Sequence, residues 1–188
     1  MIPRSPATPV TVQTTGRSSG DNKMEPNICH AFIDGANLHK GVIELGWQLD
    51  YQRFRVWLED KFNAINAYIF VGLIPAHKDL YASLQEMGYI LVYKEVTYDG
   101  SGKVKGNCDA ELVLKTVVDY YEKKFDRAII VSSDGDYAGL VKFLKNKVAL
   151  DSVISPNNQC SYLLRKLNVP LVYLDTQRKK LEYSAGKT

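Results

Sequence analysis

Two aspartates follow closely on a short apolar segment near the middle of the chain. The segment runs from Ala128 to Val131 and has no polar alternation, which is typical of a strand buried on both faces of a parallel sheet. Asp134 and Asp136 come soon after it, and apolar residues then recur at helical spacing from Leu140. The two carboxylates therefore mark a change from strand to helix. In open α/β sheets, this carboxyl edge is where ligands bind.

Two further acids lie at the boundaries of predicted elements. A second apolar run ends in Asp34, and Asp109 opens a long segment of helical periodicity. If the strands are parallel neighbours, both acids converge with Asp134 and Asp136 at one edge of the sheet. Four carboxylates so close would repel one another unless a cation neutralised them. Hard divalent cations such as Mg²⁺ and Mn²⁺ take oxygen ligands of this kind, so the sequence predicts a metal site lined by carboxylates.

A metal site of this kind is suited to phosphodiester hydrolysis. Divalent cations held by shared carboxylates can activate a water and stabilise a departing oxygen. We expect Asp34 and Asp134 to be direct ligands, with Asp109 and Asp136 completing the set directly or through water. No serine, cysteine or histidine triad is evident in the sequence, so nucleophilic catalysis by a side chain is not expected.

Polar and aromatic residues near the acids are candidates for substrate contact. Asn37 lies about one helical turn after Asp34, where its amide would orient a water or a phosphate. His39 and His77 have no partner at metal-ligand spacing, so surface or packing roles are expected for them. The hydroxyls of Ser132 and Ser133 are candidates for binding a ligand, and Lys103 and Lys105 for contacting phosphates. Tyr98 and Tyr137 are candidates for stacking on single-stranded bases.

Other interpretations of the acids stay open. An aspartate after a strand is commonly a helix N-cap, and Asp134 or Asp136 could serve only that purpose. A catalytically silent nucleic-acid-binding or regulatory module would also carry this arrangement. A phosphatase of the haloacid dehalogenase type is disfavoured, because its Asp-x-Asp motif would require an acid where Ala36 stands. The four acids together with Asn37 favour a metal site over capping alone.

Size and composition are those of one globular domain. The chain has 188 residues, an apolar share of 45% and a net charge of +3. No apolar run reaches the roughly 18 residues that a membrane helix needs, so no membrane association is expected. The three cysteines, Cys29, Cys108 and Cys160, are scattered, which fits a reducing compartment such as the cytoplasm better than a disulfide framework.

Strands alternate with helices along the chain, which predicts an α/β fold with a parallel sheet and helices on both faces. Residues 1–27 are predicted to be a disordered leader, 28–176 the folded domain and 177–188 a basic flexible tail. Asp50 is expected to cap a helix over residues 51–62, and Gly88 to follow the helix that starts at Pro75. Ser155 or Asn157 is expected to cap the last helix. Strands are expected at residues 29–34, 67–73, 89–97, 128–131, 148–154 and 169–174.

Three segments carry a resemblance to a known family. They are Phe32-Ile33-Asp34-Gly35-Ala36-Asn37, Lys105-Gly106-Asn107-Cys108-Asp109 and Val131-Ser132-Ser133-Asp134-Gly135-Asp136-Tyr137. In this order they resemble the NYN domain family, specifically its LabA-like bacterial branch, which belongs to the PIN-like nucleases. The resemblance spans residues 29–175. It implies a PIN-like three-layer α/β/α sandwich around a central, mostly parallel sheet of five to six strands.

The same resemblance implies Mg²⁺- or Mn²⁺-dependent cleavage of RNA. The acids that hold the metal would be Asp34, Asp109, Asp134 and Asp136. The expected activity is that of an endoribonuclease, and the expected partner is RNA, single-stranded at the point of cleavage. Exposed aromatic surface would also allow a homodimer.

Overall fold

The computed structural model describes residues 27–95, 97–98, 100, 104–105 and 108–184. The predicted leader, apart from its last residue, therefore lies outside the described residues. The same is true of Lys103, and of most of the turn expected at residues 99–102.

The central sheet is built from segments that the sequence marks as apolar runs. Its strands are β1 Cys29–Asp34, β2 Ala64–Leu73, β3 Tyr89–Glu95, β6 Arg127–Val131, β7 Leu150–Ser155 and β8 Leu171–Tyr173. Within the described part of the chain these six strands form one sheet, in the order β3-β2-β1-β6-β7-β8, and every neighbouring pair is parallel. A separate antiparallel hairpin pairs β4, Thr97–Tyr98, with β5, Val104–Lys105. The strand predicted to run to Thr97 thus ends two residues earlier.

Helices cover both faces of the sheet. Their bounds are α1 Gly35–Ile43, α2 Tyr51–Phe62, α3 Lys78–Glu86, α4 Asp109–Tyr121, α5 Ala138–Asn146, α6 Tyr162–Arg165 and α7 Arg178–Leu181. Apolar residues of α1, α2, α3 and α7 pack against one face, and those of α4, α5 and α6 pack against the other. The α/β/α arrangement expected from the sequence is confirmed. None of the helices in the described ranges has the length and apolar character needed to cross a membrane.

The buried strands divide their side chains between two hydrophobic cores. In β1, Ala31 and Ile33 face the core shared with α1 and α2, while Phe32 faces the core shared with α4 and α5. Successive side chains of a strand point to opposite faces, so a strand covered on both sides must be apolar throughout. All three of these residues are fully buried. This explains why the strands read as continuous apolar runs.

The strand order reverses between β1 and β6. From β1 the chain proceeds to β2 and β3 on one side, and from β6 it proceeds to β7 and β8 on the other. Ile33 of β1 pairs with Val131 of β6, so the two strands end level with each other. The loops after them diverge to opposite faces and leave a crevice, which is the usual ligand position in an open parallel sheet. Asp34 and the segment 132–136 lie at that crevice.

Local signals in the sequence set two of the helix ends. The Asp50 carboxylate accepts a hydrogen bond of 3.0 Å from the backbone N–H of Arg53, which confirms it as the N-cap of α2. Gly88 follows α3 with φ of +87°, a conformation that a residue with a Cβ rarely adopts. The cap of α2 and the glycine after α3 are confirmed, whereas α3 begins at Lys78, because Pro75 starts a preceding 3-10 helix, Pro75–His77.

Gly35 allows α1 to start directly after β1. A Cβ at this position would lie 2.9 Å from the carbonyl oxygen of Phe70 and 2.9 Å from a methyl group of Val71. The backbone of α1 therefore approaches β2 more closely than any other residue would permit. This close approach fixes where the first turn of α1 lies relative to Asp34.

Two expectations near the C-terminus are wrong. The N-cap of α6 is Ser161, whose hydroxyl accepts from the N–H of Leu163, because α6 begins later than its apolar pattern indicates. Asn157 instead accepts from the N–H of Gln159 within a buried loop. Nor is the tail frayed from about residue 177, because α7 follows and its Leu181 is buried in the core.

Candidate functional site

Asp34 ends β1 and caps α1. Its Oδ1 accepts a hydrogen bond of 3.0 Å from the backbone N–H of Asn37, and its Oδ2 lies 3.0 Å from the hydroxyl of Tyr137. The residue is only 9% exposed. The contact that caps α1 and the contact with Tyr137 thus use different oxygens of one carboxylate.

The loop after β6 is held by its own short hydrogen bonds. The hydroxyl of Ser132 accepts from the backbone N–H of Asp134 at 3.1 Å, and the carboxylate of Asp134 accepts from the N–H of Asp136 at 3.0 Å. These bonds shape a tight turn that leads into the 3-10 helix Gly135–Tyr137. The turn places the carboxylates of both aspartates at the end of β6.

Asn37 connects the two loops that carry acids. Its amide oxygen accepts from the backbone N–H of Ser133 at 2.9 Å and lies 3.0 Å from the Ser133 hydroxyl. Because a backbone N–H can only donate, the oxygen of the amide must face Ser133, which leaves the amide nitrogen on the other side. Asn37 therefore ties α1 to the loop after β6 and fixes the separation of their acids.

Three carboxylates come together at this edge. Single oxygens of Asp109, Asp134 and Asp136 all lie within 4.8 Å of one another. Asp34 is outside this closest group, but it lines one cleft of about 250 Å³ together with Asp109 and Asp134. All four predicted acids therefore lie at one edge of the sheet. The closest group contains Asp109 and Asp136, which the sequence analysis ranked behind Asp34.

Tyr137 connects the two acids that come from distant parts of the chain. Its ring is fully buried, and its hydroxyl lies within hydrogen-bonding distance of both Asp34 and Asp109. A phenol has one proton, so it donates to one carboxylate at a time. The second contact is favourable only when that carboxyl carries a proton or a cation shares its charge. The two carboxylates that approach this one hydroxyl therefore concentrate negative charge at the edge of the sheet.

Two predicted substrate contacts are wrong. Tyr137 cannot stack on a base, because its ring is fully buried beneath the acids. Ser132 is also fully buried, and its hydroxyl is already bonded to the N–H of Asp134. Lys103 and the side chains of Lys105 and Tyr98 lie outside the described part of the chain, so their predicted roles stay predictions.

The sequence analysis missed one basic residue at the cleft. Lys40 lines the same cleft as Asp34 and Asp134, and its side chain is 80% exposed, with only a loose 3.8 Å contact to Glu44. The available signal was spacing, since Lys40 lies three residues after Asn37 and so shares its face of the helix. An exposed ammonium here can reach an anionic ligand in the cleft.

The environment of Asp34 raises the pKa of its carboxyl. Burial is the largest cause, and the charges of Asp109 and Asp134 act in the same direction, against the hydrogen bonds from Asn37 and Tyr137. A raised pKa in the folded state means that this group stabilises the fold at low pH. That contribution is lost as the pH rises through its folded-state pKa. At neutral pH, the ionised Asp34 therefore lowers the free energy of unfolding.

We therefore expect Asp34→Asn to raise the melting temperature at pH 7 in the presence of a chelator. Each kcal/mol gained in the free energy of unfolding raises the melting temperature by roughly 2–4 °C for a domain of this size. Asparagine keeps an oxygen for the N–H of Asn37, so the cap is preserved. The measurement is thermal unfolding at pH 7 and at successively lower pH, where the gain should shrink because the raised pKa lets the wild-type carboxyl take up its proton as the pH falls. A variant that melts lower than wild type at pH 7 would contradict this account.

The donors at this edge fit a hard divalent cation. The three clustered groups are carboxylates, and Asp34 adds a fourth carboxylate beside them. Cys108 is the only thiol that lines the described cleft, and burial raises its pKa to about 11. Burial and the neighbouring carboxylates thus disfavour the thiolate form that a metal-binding cysteine provides. Oxygen-preferring ions such as Mg²⁺ and Mn²⁺ suit this donor set better than soft metals.

Comparison with known proteins agrees with the fold and with the resemblance seen in the sequence. The solved structure of a protein of unknown function from Vibrio parahaemolyticus RIMD 2210633 superposes with a TM-score of 0.69, over 88% of this chain and 100% of that one, at 20% identity. The Low amplitude and bright protein LabA of Synechococcus elongatus is 24% identical over 167 residues, which is 85% of this chain and 90% of that protein. The family model of the NYN domain matches residues 30–166, more than half of the chain. The chain therefore belongs to the NYN domain family.

Proposed function

We propose that this protein is a ribonuclease that hydrolyses phosphodiester bonds of single-stranded RNA with the help of a bound divalent cation. The observation that carries the proposal is the approach of Asp109, Asp134 and Asp136 to within 4.8 Å, beside the buried Asp34. Such a concentration of negative charge is unfavourable without a cation. Membership of the NYN domain family, whose fold is that of PIN-like nucleases, supports the same reaction.

Each residue at the cleft has a separate task in this proposal. Asp109, Asp134 and Asp136 would hold the cation, directly or through water, and Asp34 would complete the negative edge. The bound Mg²⁺ or Mn²⁺ would supply an activated water and stabilise charge on the leaving oxygen. The amide nitrogen of Asn37, which points away from Ser133, would donate to a phosphate oxygen.

The shape and charge of the cleft favour a single strand. Its volume of about 250 Å³ is below the roughly 300–1,000 Å³ typical of small-molecule sites, so it admits about one nucleotide unit. Lys40 at the rim would neutralise part of the phosphate charge that the carboxylates repel. A base of a duplex would have to leave its partner before a whole nucleotide unit entered so small a cleft.

The test is incubation of the purified chain with end-labelled single-stranded RNA in Mn²⁺, in Mg²⁺ and in chelator. We expect endonucleolytic products with either metal and none in chelator, because the carboxylates alone repel the substrate. Duplex RNA of the same sequence should be cut at least about tenfold more slowly. A tight complex that forms equally with and without metal, and that yields no products, would contradict the proposal and identify a binding module.

A further inference from the structure

An apolar cleft lies directly beside the acidic one. It has a volume of about 290 Å³ and is formed by the start of α1, the end of β2, the 3-10 helix Pro75–His77 and α3. Ala36, Val71 and Gly72 line both clefts. A chain bound with one phosphate at the carboxylates would therefore have an adjoining group at the mouth of the apolar cleft.

The walls of this cleft are apolar and uncharged. Ile69, Ile74 and Leu84 contribute to them, and among the described residues that line the cleft none is Asp, Glu, Lys or Arg. The hydroxyl of Tyr81 donates to the carbonyl of Gly72 at 2.8 Å and accepts from the N–H of Ile74 at 3.0 Å. These two bonds hold the buried side chain of Tyr81 in place as part of the cleft wall.

Two histidines border the opening from opposite sides. His39 comes from α1 and His77 from the 3-10 helix after β2, and both are exposed. The ring of His77 lies edge-on to Tyr81, with 6.2 Å between the ring centroids. Imidazole rings, like other aromatic side chains, stack on unpaired bases. Leu80, which is 49% exposed, extends the apolar surface outward.

The size of the cleft limits its occupant. At about 290 Å³ it lies just below the usual range for drug-sized ligands, so it has room for one flat ring system and is too small for a helix. The occupant must also be joined to a group that suits the adjoining acidic cleft. A nucleobase attached to a phosphodiester meets both requirements.

We propose that the apolar cleft binds one nucleobase of the RNA strand whose neighbouring phosphodiester is cleaved at the carboxylates. This subsite presupposes the ribonuclease function proposed above, and it adds a base pocket to the phosphate site. The base enters between His39 and His77 and packs on the exposed side chain of Leu80. The subsite positions the strand, while the carboxylates hold the cation.

A direct test uses free nucleosides, which carry a base and no phosphate. Adenosine and uridine are titrated into the full chain in chelator, and the imidazole proton signals of His39 and His77 are followed by NMR. We expect both signals to shift with saturation at millimolar nucleoside, while that of the buried His30 does not shift. Ribose 5-phosphate, which lacks a base, should shift neither. Absence of any shift with nucleosides would overturn the subsite even if the protein cleaves RNA.

Kinetics supply a second measurement. The double variant His39→Ala/His77→Ala and the variant Leu80→Ser should each lower kcat/KM on single-stranded RNA by about tenfold, a loss typical of one stacked base. Val56→Ser is the matched control, because Val56 is 46% exposed on α2 and lines neither of these two clefts. Equal losses in variant and control would overturn the subsite. Nucleoside-induced shifts without RNA cleavage in any metal would retain the base pocket and overturn the nuclease function instead.

Discussion

Asp134→Asn is expected to lower the rate of metal-dependent RNA cleavage by about 100- to 1,000-fold. Losses of this size follow when one preorganised group of a catalytic site is removed. The carboxylate of Asp134 belongs to the closest group of acids and also lines the cleft with Asp34. The amide of asparagine has the same shape but no charge, so the attraction for a divalent cation falls.

The substitution should leave the fold intact. The Asp134 carboxylate accepts from the N–H of Asp136, and an asparagine oxygen at this position can accept the same bond. We therefore expect the melting temperature in chelator to remain at or above that of wild type, since repulsion among the acids decreases. Added Mn²⁺ should then raise the melting temperature of the variant less than that of wild type, because the variant binds the cation more weakly.

The matched control is Asp60→Asn, which removes an exposed aspartate of α2 at a distance from the acidic cleft. It changes the net charge by the same amount and should leave cleavage within about twofold. Cleavage that continues at the wild-type rate in Asp134→Asn would assign the activity to other residues or to a contaminant. Equal loss in Asp134→Asn and Asp60→Asn would show that net charge, and not the clustered carboxylates, determines the rate.

Tyr137→Phe is expected to destabilise the fold and to weaken metal binding together. The ring of Tyr137 is fully buried and its volume is retained in phenylalanine, so packing changes little. The hydroxyl is lost, and with it the contact that joins Asp34 to Asp109. A hydrogen bond to a charged group contributes about 1.5–3 kcal/mol, so the free energy of unfolding should fall by a similar amount.

Metal dependence separates this role from ordinary packing. Loss of the hydroxyl removes the contact that Asp34 and Asp109 share, and we expect the Mn²⁺ concentration for half-maximal cleavage to rise by about tenfold. Tyr89→Phe is the matched control, because Tyr89 is also buried and its hydroxyl donates to the carbonyl of Tyr51 at 2.7 Å. It should cost stability and leave the Mn²⁺ requirement unchanged. An unchanged Mn²⁺ requirement in Tyr137→Phe would contradict a positioning role.

Local patterns determined the elements that carry the site. The apolar segments that end at Asp34 and Val131 have the pattern of strands buried on both faces, and the structure shows strands at both places. An aspartate just after such a strand lies at the carboxyl end of that strand. Helical periodicity after Asp109 indicated that a helix begins at this residue. These inferences need only neighbours along the chain, and the parallel sheet and the edge that carries the acids followed from them.

Burial decided what spacing alone left open. Tyr137 was expected to face substrate. A tyrosine beside two aspartates can lie either at the surface or in the core, and the residues around it do not distinguish the two positions. Packing of α4 and α5 on the same sheet face buries it, and its hydroxyl becomes the connection between Asp34 and Asp109. Ser132 was assigned wrongly for the same reason. Contacts over more than 25 residues of sequence leave no periodic trace.

The amino-acid sequence by itself indicated the strands of the parallel sheet, the starts of α2 and α4 and the four aspartates at one edge of the sheet. Only the tertiary structure decided which three carboxylates lie closest together, because that depends on the reversal of strand order between β1 and β6 and on the bond from Asn37 to Ser133. It alone revealed the apolar cleft between His39 and His77, whose walls come from segments far apart in the chain. Periodicity records which face of an element is buried, whereas the shape of a site depends on which elements meet.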